Sequence, residues 1–144
     1  MRTICVVNQK GGCGKTTTAV NLAAALSKSR RVLLIDLDPQ AHATLGLGLD
    51  PEAVEITAYD LLCRGAAVSQ ARRTVAPSLH LVPSQLFLAA AEPELSGRQG
   101  AEGRLREALS GVRADYDYAL IDCPPNLGIL TFNALRAAGR ALVP

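Results

Sequence analysis

Gln9-Lys10-Gly11-Gly12-Cys13-Gly14-Lys15-Thr16-Thr17 lies between the apolar run Ile4-Cys5-Val6-Val7 and the helix-like run Ala19 to Leu26. A strand, a glycine turn and a helix start, in that order, make a cradle for phosphate. The glycines let backbone N–H groups converge on phosphate oxygens with no side chain between, and the helix N-terminus adds its partial positive charge. Lys15 is then placed to reach β- and γ-phosphates, and the Thr16 hydroxyl suits Mg²⁺.

The stretch departs from the ordinary G-x-x-x-x-G-K-[ST] pattern, because Gln9 stands where the first glycine belongs and Lys10 follows it. The loop therefore carries two lysines. This KGGxGK[ST] form resembles the deviant Walker A motif of the ParA/MinD-type ATPases. The resemblance implies that residues Lys10 to Thr17 (Lys10, Gly11, Gly12, Cys13, Gly14, Lys15, Thr16, Thr17) bind ATP, and that Lys10 reaches across a sandwich dimer to the partner's nucleotide.

Working outward, Thr3 to Val7 reads as a strand buried on both faces, and Ala19, Leu22, Ala23 and Leu26 recur at helical spacing, which predicts a helix from Thr16 to about Ser29. Val32-Leu33-Leu34-Ile35 is a second buried strand, ending in Asp36-Leu37-Asp38-Pro39-Gln40. A βαβ unit places the ends of both strands on one edge of a parallel sheet, so Asp36 and Asp38 come near the loop, where acids among apolar residues need a cation or a hydrogen-bonding task. DLDPQ resembles the switch I region of plasmid and chromosome partition ATPases. By that resemblance Asp38 orients or activates the attacking water, and Asp36 supports the phosphate and Mg²⁺ network. Ala41-His42 follows, where relatives often show glycine and asparagine; no catalytic part is assigned to His42.

Gly46 to Pro51 reads as a loop, Ile56 to Cys63 as a short helix, and Ala66 to Ser78 as a connection whose Arg72-Arg73 pair reads as solvated, with contact to DNA phosphate as the alternative. Leu79 to Pro83 is a third strand with a half-buried His80. Gln85 to Leu95 looks helical until Pro93, Ser96 to Gly100 is a flexible connection, and Glu102 to Ser110 is a helix. Tyr116 to Asp122 is a fourth strand, apolar and ending in an acid. This is a Walker B pattern, and Cys123-Pro124-Pro125 resembles the family's D-x-P-P segment; the resemblance implies that Asp122 holds Mg²⁺, most simply through a water. Ile129 to Ala138 is a helix, and Ala141-Leu142-Val143 begins a fifth strand.

At 144 residues the chain is the size of one domain, so residues 1–144 read as a single α/β P-loop NTPase domain with a parallel sheet flanked by helices. A hydrophobic content of 49% excludes general disorder, and the apolar runs are too short to span a bilayer. Polar Asn8-Gln9-Lys10 directly after the first strand argues against a signal peptide, and the scattered Cys5, Cys13, Cys63 and Cys123 indicate neither a zinc site nor a disulfide framework. Those features place the chain in the cytoplasm. Its net charge of +2 singles out no partner.

The resemblance covers the whole chain, but members of the family continue well beyond this length. It implies an ATP- and Mg²⁺-dependent partition ATPase, an ATP-dependent homodimer, a ParB-like partner protein, nonspecific DNA binding through regions largely outside this chain, nucleoid association, and no membrane. Two alternatives stand beside it. One is a noncatalytic nucleotide-binding module; the other is a related ATPase with the same loop, such as a nitrogenase-iron-protein-like or cobyrinate-synthase-like enzyme. The scattered cysteines oppose cluster carriage, and Asp38-Pro39-Gln40 favours partition.

Overall fold

The computed structural model describes all 144 residues. Six strands, β1 (Arg2–Val6), β2 (Val32–Asp36), β3 (Arg73–Ala76), β4 (Leu79–Val82), β5 (Tyr118–Asp122) and β6 (Arg140–Leu142), form one sheet in the order β3-β4-β2-β5-β1-β6. All neighbours are parallel except β3, which runs antiparallel to β4. The helices are α1 (Lys15–Ser27), α2 (His42–Gly46), α3 (Ala58–Cys63), α4 (Val68–Ala71), α5 (Ala91–Leu95), α6 (Arg104–Ser110) and α7 (Ile129–Ala137). Short 3₁₀ turns cover Leu86–Ala90 and Ala101–Gly103.

Strand alternation divides the core into two layers. Cys5, Leu33, Ile35, Ala119 and Ile121 pack against α3, α5, α6 and α7, whereas Val6, Val32, Leu34 and Leu120 meet Ala19 and Ala23 of α1 and Ala43 of α2. Every residue of β2 is buried, which is why its sequence is apolar from Val32 to Ile35 rather than alternating. The two alanines let α1 lie close on the sheet.

Three stretches fold differently from the sequence expectation. Residues 66–78 hold α4 and the edge strand β3, giving six strands rather than five, because Pro77-Ser78 closes a tight antiparallel turn onto β4. Arg72 is not a solvated cation: its guanidinium donates to the Tyr116 hydroxyl at 2.7 Å, and His80 Nδ1 lies 2.6 Å from the same oxygen. Gly46 belongs to the end of α2 rather than to a loop. Finally, α5 runs through Pro93 because that residue sits in its first turn, where a missing N–H costs nothing.

Parallel pairing fixes where the chemistry can occur. Val6 and Asp36 both register with Asp122, so β1, β2 and β5 end at one sheet edge. Asp36 follows Leu34, and Asp122 follows Leu120, at two-residue spacing. Both carboxylates therefore stand on the face that carries α1.

Side chains from distant segments anchor α7, which follows that edge. The Glu92 carboxylate accepts hydrogen bonds from the Ile129 and Leu130 N–H groups at 2.8 and 3.4 Å, satisfying two donors of the first turn. Buried Asn133 accepts from Leu105 N–H at 3.0 Å and donates to the Ala101 and Ile129 carbonyls, each at 2.9 Å. Truncating it leaves buried backbone groups unpartnered. Asn133→Ala is expected to lower the free energy of unfolding by about 1–3 kcal/mol, read as a fall in the urea midpoint at unchanged m-value.

Candidate functional site

The loop from Gln9 to Gly14 leaves β1 and enters α1 through backbone that glycine adopts freely: φ is +70° at Gly12 and +89° at Gly14. A Cβ built at Gly11, Gly12 or Gly14 would point into open space with no atom within 4 Å. That space is a cleft of about 410 Å³ walled by these glycines with Lys15, Thr16 and Thr17 on one side and Asp38, Gln40, His42 and Pro125 on the other. Lys15 is buried, its ammonium donating to the Lys10 carbonyl at 3.0 Å and lying 3.7 Å from the Cys13 sulfur. The Asn8 side chain braces the loop start, accepting from Lys10 N–H and donating to the Pro144 carbonyl.

Below the loop, Thr16 donates its hydroxyl proton to Asp122 Oδ2 at 2.6 Å. Asp122 Oδ1 is buried and has no hydrogen-bond partner. A buried carboxylate oxygen without a donor is costly, and a cation beside the Thr16 hydroxyl would satisfy it. Oxygen donors from one hydroxyl and one carboxylate suit Mg²⁺, which keeps most of its shell for water and phosphate. No group of three or more His, Cys, Asp or Glu side chains is arranged to hold a metal ion by itself.

Asp36 does not line the cleft. Fully buried, it accepts from Asp38 N–H at 3.1 Å on one oxygen and from the Thr44 N–H and hydroxyl at 2.9 and 2.7 Å on the other. Ser84, at the end of β4, extends the array: its N–H donates to the Thr44 hydroxyl oxygen at 2.9 Å, and its hydroxyl donates to the Asp38 carbonyl at 2.7 Å. The backbone of Asp38 is thereby held on both sides. Its own carboxylate accepts from Gln40 N–H at 3.0 Å. Ala41, which begins α2, takes the left-handed conformation at φ +57°, the one non-glycine residue to do so.

The structure thus gathers Gly11, Gly12, Gly14, Lys15, Thr16, Thr17 and Asp38 around one cleft, with Asp122 beneath Thr16 and Asp36 one layer deeper. Lys10 is exposed at the rim, and Cys13 turns its sulfur toward Lys15. His42, Gln40 and Pro125 line the cleft although the sequence assigned them no part. For Thr44 and Ser84 the sequence holds no signal of their task, since their partners come from eight and forty-six residues away.

Burial is the main force on both acids. It raises Asp36 to about 7, against the opposing Thr44 hydrogen bond and with a further push from Asp122. It raises Asp122 to about 6, opposed by the Thr16 hydroxyl and reinforced by Asp38. An unfolded carboxylate titrates near 4, so between pH 4 and about 7 the folded chain binds more protons than the unfolded one. Its stability therefore falls as pH rises through that window. His80, held low chiefly by burial and secondarily by Arg72, pulls the opposite way. The expected outcome is that the loss of stability from pH 5 to pH 7.5 shrinks in Asp36→Asn, measured by urea midpoints at each pH.

Comparison with known proteins agrees with this geometry. The AAA_31 family, described as an AAA domain, matches residues 1–144. The chromosome partitioning protein ParA of Myxococcus xanthus is 48% identical over 145 residues, covering 99% of this chain and 51% of the relative. The sporulation initiation inhibitor protein Soj of Bacillus subtilis is 48% identical over 143 residues, covering 98% of this chain and 56% of Soj. The chain thus spans about half the length of these relatives. Among solved structures, cobyrinic acid a,c-diamide synthase from Mycobacterium smegmatis, determined with ADP and magnesium and with an ATP analogue and magnesium, superposes with a TM-score of 0.95 at 42% identity, over 100% of this chain and 59% of that one. The chain belongs to the AAA_31 family of P-loop ATPases, and its likeness to the ParA/Soj members extends over nearly its whole length.

Proposed function

We propose that this chain is the nucleotide-binding portion of a ParA-type partition ATPase that binds Mg-ATP, dimerises around two nucleotides and uses slow hydrolysis as a timer. The observation that carries the reading is the unpartnered Asp122 oxygen beside Thr16, directly under a glycine loop that presents Lys15. Phosphoryl transfer to water needs charge neutralisation and positioning more than covalent help. Lys15 and the loop N–H groups bind the phosphates, Thr16 and Asp122 hold Mg²⁺, and exposed Lys10 reaches the partner subunit's nucleotide. Mg²⁺, when bound, withdraws charge from the phosphate oxygens. Asp38 orients the attacking water from the opposite wall of the cleft. Asp36 contributes from behind by holding Asp38 N–H, and Ser84 holds the Asp38 carbonyl.

ATP binding orders the segment from Asp38 to Thr44 and favours the dimer; hydrolysis releases both. The complete protein then binds DNA nonspecifically in the cytoplasm, at the nucleoid, and a ParB-like protein stimulates turnover. This extension rests on the ParA and Soj relatives. The likeness to the cobyrinic acid a,c-diamide synthase favours a second reading, a synthase that uses the same phosphate chemistry on another substrate. Hydrolysis of ATP with no second substrate present separates the two.

The decisive experiment is the solution mass of the chain with Mg²⁺ and a nonhydrolysable ATP analogue against Mg-ADP. A dimer with the analogue alone is expected, and a monomer in both rejects the sandwich for this portion. Lys15→Ala should abolish nucleotide binding, measured by titration calorimetry. Lys10→Ala and Asp38→Ala should retain binding and lose hydrolysis; loss of ATP binding in Asp38→Ala would contradict the water-orienting role. Ser84→Ala is expected to cut the hydrolysis rate about tenfold with nucleotide affinity unchanged, and Ser84→Thr to restore part of it.

A further inference from the structure

A concavity larger than the phosphate-loop cleft lies away from it, at the edge where β1 and β5 begin. It measures about 650 Å³ and is ringed by Arg2, Arg106, Arg113, Arg136 and Arg140, with the Tyr118 side chain among them. All five arginines are exposed, and none makes a side-chain hydrogen bond or ion pair. The two ion pairs in the chain use other arginines, Arg31 and Arg64. No aspartate or glutamate lines the cleft. The full chain carries a net charge of only +2; without these five side chains it would be −3. The cleft therefore gathers five of the fifteen Lys and Arg residues with no acid among them, and the rest of the chain is net negative.

Helix dipoles account for little of this. Arg136 lies in the last turn of α7, where a cation is favoured, but Arg2 and Arg140 sit on strands and Arg113 lies beyond α6. Five like charges around one hollow repel one another, and an anion between them would relieve that repulsion. Guanidinium groups bind phosphate through paired N–H donors, which an ammonium cannot match. Ile4 and Leu109 line the hollow with them. A volume in the small-ligand range, some apolar lining and several converging charged groups fit a small-molecule site. A flat or convex basic face would suit a nucleic-acid duplex better, because a rigid rod cannot enter a hollow of this size.

We propose that this arginine-ringed cleft is a second anion site, distinct from the nucleotide cradle, which binds a small organic ligand bearing two or more phosphate groups. Its position places a polyphosphate ligand against the start of β1 and the end of α7. The same two elements lead into the phosphate loop and away from the Asp122 turn. The site stands whether or not the loop hydrolyses ATP.

Inorganic tripolyphosphate, titrated calorimetrically into the Lys15→Ala chain at constant ionic strength, tests this with the cradle disabled. One ligand per chain is expected, with affinity at least tenfold weaker when Arg113→Gln and Arg136→Gln are added. In the otherwise wild-type chain, tripolyphosphate should raise the urea midpoint, and this rise should fall when the same two arginines are replaced. Absence of binding to Lys15→Ala together with no change in the wild-type midpoint shift on replacing the arginines would overturn the proposal. So would binding that the arginine substitutions leave intact. Tight, salt-sensitive binding of a DNA duplex that depends on these arginines, with no affinity for tripolyphosphate, would replace it with a nucleic-acid surface.

Discussion

Parallel register is the constraint on which the site depends. Because β1, β2 and β5 run the same way and Val6 and Asp36 both align with Asp122, three strand ends meet at one edge. The phosphate loop, the Asp36–Asp38 segment and the Asp122 turn issue from those ends. Two-residue alternation then places both acids on the α1 face, with Asp122 directly below the first turn that carries Thr16. A one-residue slip of β5 would carry the Asp122 carboxylate to the opposite face.

That placement works against stability and for chemistry. Three acids, Asp36, Asp38 and Asp122, are buried within one small region, and burial pushes the carboxyls of Asp36 and Asp122 up, so that their ionised forms oppose folding. Internal donors satisfy Asp36 completely, whereas Asp122 keeps one oxygen bare. The difference divides their work. A satisfied carboxylate holds backbone in place, and an unsatisfied one awaits a cation. The adjoining Lys15 supplies the only nearby buried positive charge, so phosphate and metal entering the cleft complete an electrostatic arrangement that the chain leaves open.

Sequence reading reached the loop, the buried strands and the acids at their ends because each depends on local rules: glycine at positive φ, continuous apolar runs, and an acid closing a strand. It missed β3 because an edge strand of four residues containing arginine and threonine lacks a periodic signal. Arg72 was misread for a related reason; its partner Tyr116 lies forty-four residues away. Ser84 carries no sequence signal of its task, since nothing within its neighbourhood indicates that its hydroxyl meets the Asp38 carbonyl.

The sequence by itself determined the phosphate cradle, the α/β class and the identity of the acids that approach it, because these follow from residue type and spacing along adjacent segments. Only the tertiary structure decided which acid is satisfied and which is open, that Asp38 is held from both sides, and that five arginines from four elements and one loop surround a single hollow. Those properties arise from distances between residues far apart in the chain, and such distances exist only once the sheet has set its register.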